Sequence, residues 1–428
     1  MSENLGDESK DSSLPTERSE GEEENGVLFA VANARVIGEI QKRTKGVPVS
    51  GGRSKKLGKV SFDDLVFVPA QLSKRPVDYY REKISSKTMI GKMSKKPIEL
   101  DVPVVIGAMS FGALGREAKI ALSKASALAG TMDNTGEGGM LPEEREFANH
   151  LIVQYSTGRF GISEEILKKA DAIEIKIGQG AKPGMGGLLP KEKITEEIAR
   201  IRNVEKGKDV HSPPYHSDIE NVEDLKKKID WLRNLTGGAP IILKLAAGDV
   251  ENDVKLAVMA NPDVIAIDGL EGGTGAAPEA VLDEVGIPTM AAAVRAREIL
   301  DKLGAEQELW IGGGLNKGSD FAKALALGAD AVFCGTALLI AMGCLSCKLC
   351  YLGKCPIGIA TQEPELRKKL NIETASQNIA NFIKNSTEEI KMIAGACGED
   401  DIHKLNKGHL RAMNSEIAKI TKIKTISE

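Results

Sequence analysis

The chain has 428 residues, 42% of them hydrophobic, which is enough for one large domain or two ordinary ones. Its net charge is -4 with Lys and Arg dispersed, which excludes a basic field for nucleic-acid binding. The longest apolar run, near 331–344, is too short for a membrane span, and no apolar leader follows Met1. The expectation is a cytoplasmic protein with neither nucleic acid nor membrane as partner.

Residues 1–26 are polar, acidic and free of aromatics, and are read as a disordered tail. Residues 27–100 form a lead-in segment packed on the main body, with a polar patch SGGRSKKLGK followed by FDDLVFVPAQL. From Pro103 short apolar runs alternate with amphipathic stretches. The runs are VPVVIGAMS, TMDNTGEGG, ADAIEIKIGQG, APIILKLAAG, PDVIAIDGLEGG, IPTMAAA, QELWIGGGL and ADAVFCGTALLI. Helical spacing marks REAKIALSKASALA, VEDLKKKIDWLRNL, ENDVKLAVMA, VRAREILDKLG and SDFAKALALG between them. Eight alternations over roughly 250 residues predict an α/β fold, a (β/α)8 TIM barrel over 101–343, with a doubly wound open sheet as the rival. Nearly every run ends in glycine or polar residues, which a barrel gathers at its C-terminal mouth, where active sites sit. A cysteine-rich loop, 344–362, follows the eighth run, and a helical C-terminal extension, 363–428, completes the chain.

Cys344, Cys347, Cys350 and Cys355 read C-x2-C-x2-C-x4-C before Pro356, one residue away from a ferredoxin spacing. Short gaps let the backbone wrap a compact iron-sulfide core. Zinc is the rival ligand, although its sites usually pair two CxxC knuckles across a long spacer. Cys334 and Cys397 stand apart and read as core residues.

GGGLNKGSD after the seventh run and CGTALLI after the eighth lie where barrels bind a phosphate through main-chain N–H groups, so a phosphate-bearing cofactor is implied. Lys176 and Lys244 sit in strand runs where an apolar residue is the default; pointing inward, either could stabilise the anionic edge of a reduced flavin. The alternative is an outward position with the ammonium reaching solvent between helices. Glu137, on the glycine-rich NTGEGG loop, could hold or deprotonate an amine. His211 and His216 flank SPPY and are read as structural or rim residues.

FDDLVFVPAQL, GAMSFGAL, NTGEGG, STGRFGIS, EIKIGQGAKPG, SPPYHSDI, EGGTGAAP, GTALLIAMGC and CPIGIATQ together resemble the FMN-binding synthase domain of the glutamate synthase large subunit. The likeness runs from about Phe62 to Leu370. It implies an oxidoreductase acting on CH–NH2 groups that adds ammonia to 2-oxoglutarate and reduces the imine to glutamate. It also implies a 3Fe-4S cluster on Cys344, Cys350 and Cys355, with Cys347 an extra thiol that leaves 4Fe-4S open. Flavin contacts carry over to Met109, Ser110, Arg159, Gln179, Lys244, Gly312, Gly313, Gly314, Gly335 and Thr336. The 2-oxoacid contacts carry over to Gln179, Lys182 and Arg202, with Glu137, Lys182 and Lys244 in catalysis.

Two departures bear on the substrate: the family pattern AQGAKPGEGGQLP is GQGAKPGMGGLLP here, so Met185 and Leu188 replace a glutamate and a glutamine. The family's N-terminal cysteine nucleophile and glycine-repeat β-helix are missing from the sequence, so the expected partners are a separate glutaminase subunit, a β-helix subunit and an electron donor, either an NAD(P)H-dependent subunit or ferredoxin. Rival functions are an N-methylglutamate synthase subunit and a non-catalytic electron relay.

Overall fold

A computed structural model describes residues 49–54 and 60–428, with a few isolated positions before residue 49. The expected tail 1–26 lies outside the described residues. The chain divides into two compact units, Met1–Pro48 and Val49–Glu428.

The second unit is built on eight parallel strands: β1 (Val104–Ile106), β2 (Met132–Asn134), β3 (His150–Tyr155), β4 (Ala172–Lys176), β5 (Ile241–Ala246), β6 (Val264–Asp268), β7 (Glu308–Gly312) and β8 (Ala331–Cys334). From β2 to β8 each strand pairs with its successor, and β8 returns to pair with β1. Helices follow the strands: α1 (Arg116–Ala129), α2 (Pro142–Phe147), α3 (Glu164–Leu167), α4 (Glu196–Arg202), α5 (Val222–Leu235), α6 (Val250–Ala260), α7 (Thr289–Leu303), α8 (Gly318–Ala326) and α9 (Thr336–Met342). The fold is therefore the expected (β/α)8 barrel, nearly closed.

The count of eight strands survives two compensating misreadings. IPTMAAA is not a strand. Pro288 caps the N-terminus of α7, and the alanines that follow are the strongest helix formers, so Thr289 onward is helix. The third strand is HLIVQY, β3, whose buried residues run continuously and so carry none of the alternation that marks a half-buried strand. One residue set faces the barrel axis: Val105, Met132, Ile152, Ala172, Ile242, Val264, Ala266, Trp310, Ala331 and Phe333. Their strand neighbours, such as Ile173, Leu243, Ile265 and Leu309, pack instead with the helices.

Residues 88–100 of the lead-in close one end of this barrel. Strands Thr88–Ile90 and Ile98–Leu100 form an antiparallel pair whose Ile90, Ile98 and Leu100 join the axial cluster. Leu65–Phe67 pairs with Leu410–Ala412, so the lead-in and the C-terminal extension share a sheet. The extension is thus not purely helical, although its main element is the 25-residue α10 (Ile372–Ala396). Asn371 caps α10, and Phe382 meets Phe321 of α8 edge-on at 6.3 Å.

Between β1 and β2 no strand ladder forms, and side chains bridge the seam. Thr131 Oγ1 donates to Val104 O (2.6 Å) at one end. At the other, Lys119 Nζ donates to Met109 O (2.6 Å) and Asn134 O (2.9 Å), drawing the two strand exits together. Lys119 is fully buried, and its ion-pair partner Glu144 Oε1 lies at 2.9 Å, off the line of a hydrogen bond. Burial, working against the pull of Lys119, pushes the Glu144 carboxyl up to about 7 and raises Asp133 as well.

Removing the cation strands these acids. Lys119→Met should destabilise the fold by about 3 to 5 kcal/mol, the usual cost of leaving a buried charge unpaired. Lys124→Met, on the same helix in a half-exposed pair with Glu373, should cost less than about 1 kcal/mol. Thermal unfolding of the two variants side by side measures the difference; equal midpoints would refute the role given to Lys119.

Candidate active site

The C-terminal mouth opens into a cavity of about 620 Å3 lined by Met109, Ser110, Glu137, Gln179, Lys182 and Arg202 and by residues from every barrel edge around them. Its polarity follows from strand register. β4 and β5 pair with Lys176 opposite Lys244, and the alternation that sends Ala172 and Ile242 to the axis sends both lysines the same way. Two buried ammonium groups on adjacent strands demand anions. Glu137, from the loop after β2, meets Lys176 at 2.8 Å. Asp268, at the end of β6, lies 3.9 Å from Lys244 and spends Oδ2 on the Gly180 N–H at 2.9 Å. Lys244 is therefore the less neutralised of the two, and its ammonium stands 4.9 Å from the centre of the Phe333 ring.

Burial alone would raise the Glu137 carboxyl. The charge and hydrogen bond of Lys176 outweigh it, with help from Ser212 and Arg202, and hold the group at about 2. Glu137 is thus a fixed carboxylate. Its Oε1 is buried and has no partner among the described residues, an acceptor waiting for a donor.

Lys182 is buried with Nζ on Ala276 O (3.1 Å); burial, then repulsion from Lys176, brings it down to about 8. Arg202, from α4, gives Nε and Nη2 to Phe111 O (2.9 and 2.7 Å) and Nη2 to Ser110 Oγ (3.0 Å). Burial lowers it to about 10, so it remains charged at neutral pH. Neither cation has an ion-pair partner among the described residues.

The glycine loops leave room for a ligand. Gly313 and Gly314 adopt φ 112 and 74, which turn the chain at the exit of β7. At Gly335 a Cβ would meet nothing within 4 Å, so open space lies above the backbone where α9 begins. The cysteine loop borders the same cavity through Cys344 and Cys350. Ser346 N–H reaches Cys344 Sγ at 3.4 Å, and Ser346 and Lys348 take left-handed φ of 52 and 59, so the loop coils tightly between its thiols. Burial first, then neighbouring Cys344, Cys355 and Cys347, raises the Cys350 thiol. Among the described residues no three His, Cys, Asp or Glu side chains close on a single metal ion.

Residues 49–400 match the conserved region in glutamate synthase. A glutamate synthase large subunit-like protein of Rhizobium meliloti is 41% identical over 382 residues, 85% of this chain and 86% of that protein. An archaeal NADPH glutamate synthase of Methanocaldococcus jannaschii is 39% identical over 432 residues, 92% of this chain and 84% of that one. The chain belongs to the glutamate synthase family. It is accordingly an oxidoreductase acting on CH–NH2 groups. A mutant of an active chimera of (S)-mandelate dehydrogenase aligns at a TM-score of 0.56 over 85% of this chain and 93% of that one with 18% identity, a likeness of fold alone.

Most of the residues expected for the family site come together at the cavity: Met109, Ser110, Glu137, Gln179, Lys182, Arg202, Lys244, Gly313, Gly314, Gly335 and Thr336 all line it. Arg159 does not. Its guanidinium lies 3.7 Å over the Tyr155 ring and donates to Asp218 (2.7 Å), and its backbone is left-handed, φ 52. Gly312 is a strand residue beneath the lining, where a Cβ would strike the Phe333 ring at 2.2 Å. Cys355 is buried and Cys347 exposed. Met185 is exposed and off the cavity wall, whereas Leu188 lines it. His216, stacked on Tyr155 at 5.9 Å, contacts the Lys176 carbonyl through Nε2 (2.8 Å). Burial brings it down to about 4, which leaves Nε2–H as the donor of a neutral ring.

Sequence reasoning missed Lys119, Lys193, Asp268 and the strand Val49–Gly52, which pairs with Thr274–Pro278 beside the cysteine loop. A Cβ on Gly51 would come within 2.9 Å of Gly275 O and 3.3 Å of Cys350 Cβ, so this strand sits tight against the loop. Lys119 had a legible signal, since it falls on the buried stripe of α1 with Ala118, Leu122 and Ala125. Lys193 had none.

The folded carboxyl of Glu137 titrates below its unfolded value, so its contribution is complete above about pH 4.5 and is lost as pH falls toward 2. That contribution is on the order of 3 kcal/mol. Urea unfolding between pH 7 and 3 should therefore show a shallower acid decline in Glu137→Gln than in the parent chain; parallel declines would contradict the Lys176 pairing.

Proposed function

We propose that the chain is the synthase component of a glutamate synthase, converting 2-oxoglutarate to glutamate by reductive amination with FMN at the barrel mouth and an iron–sulfur cluster on the 344–362 loop. The observation that carries this reading is the pair of buried cations without ion-pair partners among the described residues, Lys182 and Arg202, facing the same cavity as the ionised Glu137. A dicarboxylate and an amine are what such a set accommodates.

The chemistry of the donors at the mouth and in the cysteine loop supports the two groups. Open space above Gly335, the turned backbone at Gly313 and Gly314 and the N–H of Thr336 suit a phosphate, and under-neutralised Lys244 suits the electron-rich edge of a flavin. Cys344, Cys350 and Cys355 would hold iron, with the Ser346 N–H on the Cys344 sulfur. Bound there, the flavin would supply the hydride that reduction of an imine needs, and the cluster would supply electrons to the flavin.

The chain's own residues do the rest. Lys182 and Arg202 bind the substrate carboxylates and fix the keto carbon in the cavity. Gln179, on the same wall, adds amide contacts. Glu137 Oε1 accepts an N–H from the incoming amine; at about 2 its carboxyl is too acidic to serve as a proton acceptor near neutrality, so it positions the nitrogen instead. Ammonia would come from a separate glutaminase subunit and electrons from an NAD(P)H-dependent subunit or ferredoxin, with a glycine-repeat β-helix subunit as a further partner.

Leu188 favours a second reading. An apolar side chain in the cavity wall where the family carries glutamine suits a methylated amine, as in N-methylglutamate synthase. The deciding experiment is a single turnover of chemically reduced protein with 2-oxoglutarate and either ammonium or methylamine. Glutamate as product supports the first reading, N-methylglutamate the second, and no product with either amine leaves only an electron relay.

Lys182→Ala should weaken 2-oxoglutarate binding roughly tenfold to a hundredfold while FMN content stays normal, because a charge-assisted bond to a carboxylate is worth about 1.5 to 3 kcal/mol. In the parent chain kcat/KM for 2-oxoglutarate should fall as pH rises through about 8, where Lys182 loses its proton, and Lys182→Arg should move that limb upward. An unmoved limb would assign it to another group.

Exposed Cys347 separates the cluster types. In a 3Fe-4S site Cys347→Ser keeps the oxidised paramagnetic signal and Cys350→Ser loses it; loss in both variants would instead indicate four thiolate ligands.

A further inference from the structure

Lys193 ends a short turn, Lys191–Lys193, in the insertion between β4 and α5, and nothing in its neighbours Glu192 and Ile194 marks it as special. Yet its side chain is buried and lines the cavity. Its two hydrogen bonds go to main-chain carbonyls, Ala113 O at 3.1 Å and Cys350 O at 3.2 Å. Ala113 belongs to the loop after β1 that forms the cavity wall, and Cys350 to the cysteine loop. Its methylene stem also runs against the cysteine loop, since a Cβ added at Gly353 would lie 3.3 Å from Lys193 Cγ.

A buried ammonium bound only to neutral carbonyls is costly, because two dipoles replace its hydration without cancelling its charge. Every other buried lysine at the mouth meets a carboxylate or lies at the substrate end: Lys176 has Glu137, Lys244 has Asp268, Lys119 has Glu144, and Lys182 faces the cavity. No carboxylate pairs with Lys193 among the described residues. The nearby groups able to become anions are the thiols of Cys350 and Cys355.

We propose that Lys193 is the buried counter-cation of the iron–sulfur site, bridging that site and the cavity wall, and that its positive charge favours the reduced state of the cluster. This rests on the cluster reading given above. Reduction adds one electron to the iron–sulfide core, and a positive charge held nearby in a medium of low polarity stabilises that added charge. The carbonyl bonds then have a second effect. They fix the ammonium midway between the two loops, so its field acts on the cysteine site from the cavity side.

The test is a redox titration of the holoprotein followed by electron paramagnetic resonance for the cluster and absorbance for the flavin, with dithionite as reductant. Lys193→Met keeps length and removes charge; its cluster should be harder to reduce by at least about tenfold in the one-electron equilibrium constant, while FMN content is retained. Lys193→Arg keeps the charge and should stay close to the parent chain. If Lys193→Met loses its iron but Lys193→Arg retains it with the parental midpoint, the charge is needed and the proposal stands. A fully iron-loaded Lys193→Met with the parental midpoint overturns it, as does equal disturbance by both substitutions. Parent protein that contains FMN and no iron would refute the cluster reading itself, and with it the role of Lys193.

Discussion

The register of β4 against β5 is the constraint on which this site depends. It sets Lys176 beside Lys244 inside the barrel mouth, where both are buried. Buried like charges on adjacent strands are tolerable only with anions supplied from elsewhere in the chain, and the fold recruits them from the loop after β2 and the end of β6. Neutralisation is unequal. The 2.8 Å contact to Glu137 largely satisfies Lys176, while Asp268 at 3.9 Å leaves Lys244 with unspent charge. The same pairing holds Glu137 ionised, so near neutrality it is an acceptor and not a group that takes up a proton.

The barrel's weak seam lies next to this centre. With no ladder between β1 and β2, the exits of both strands are held by Lys119, and Met109 at one of those exits lines the cavity. Packing behind the seam also recruits the far end of the chain. Gln362 Nε2 donates to Gly112 O (3.2 Å) and Leu114 O (3.1 Å), and Arg367 forms two bonds with Glu117 of α1 at 2.7 and 2.9 Å. The segment that follows the cysteines is thereby clamped onto the loop after β1. The cysteine loop and the cavity wall are parts of one hydrogen-bonded unit, which lets a charge such as Lys193 act on both.

Particular residues show how far a linear reading reaches. The helix REAKIALSKASALA was bounded correctly because its apolar spacing and the glycine after it are local signals. IPTMAAA reads as a strand because a short apolar run does not distinguish a buried strand from the first turn of a helix, and HLIVQY does not stand out because a strand buried on both faces lacks alternation. Likeness of motif puts Arg159 at the flavin, whereas its guanidinium lies over the Tyr155 ring and off the cavity lining. Lys193 sits among Lys191 and Glu192 and reads as a solvated turn.

What the sequence by itself determined is therefore the periodic part of the protein: the alternating barrel, the glycine-rich strand exits, the cysteine spacing, and the presence of lysines where strands should be apolar. These depend on neighbours within a few positions and on the side-chain directions that strand and helix geometry impose. Only the tertiary structure decided which charges meet. Glu137 and Lys176 are 39 positions apart, Lys193 and Cys350 are 157 apart, and Arg202 reaches Phe111 across 91. Such partnerships follow from barrel closure and loop packing, and the ionisation of each group follows from its burial and its partner, neither of which a local pattern records.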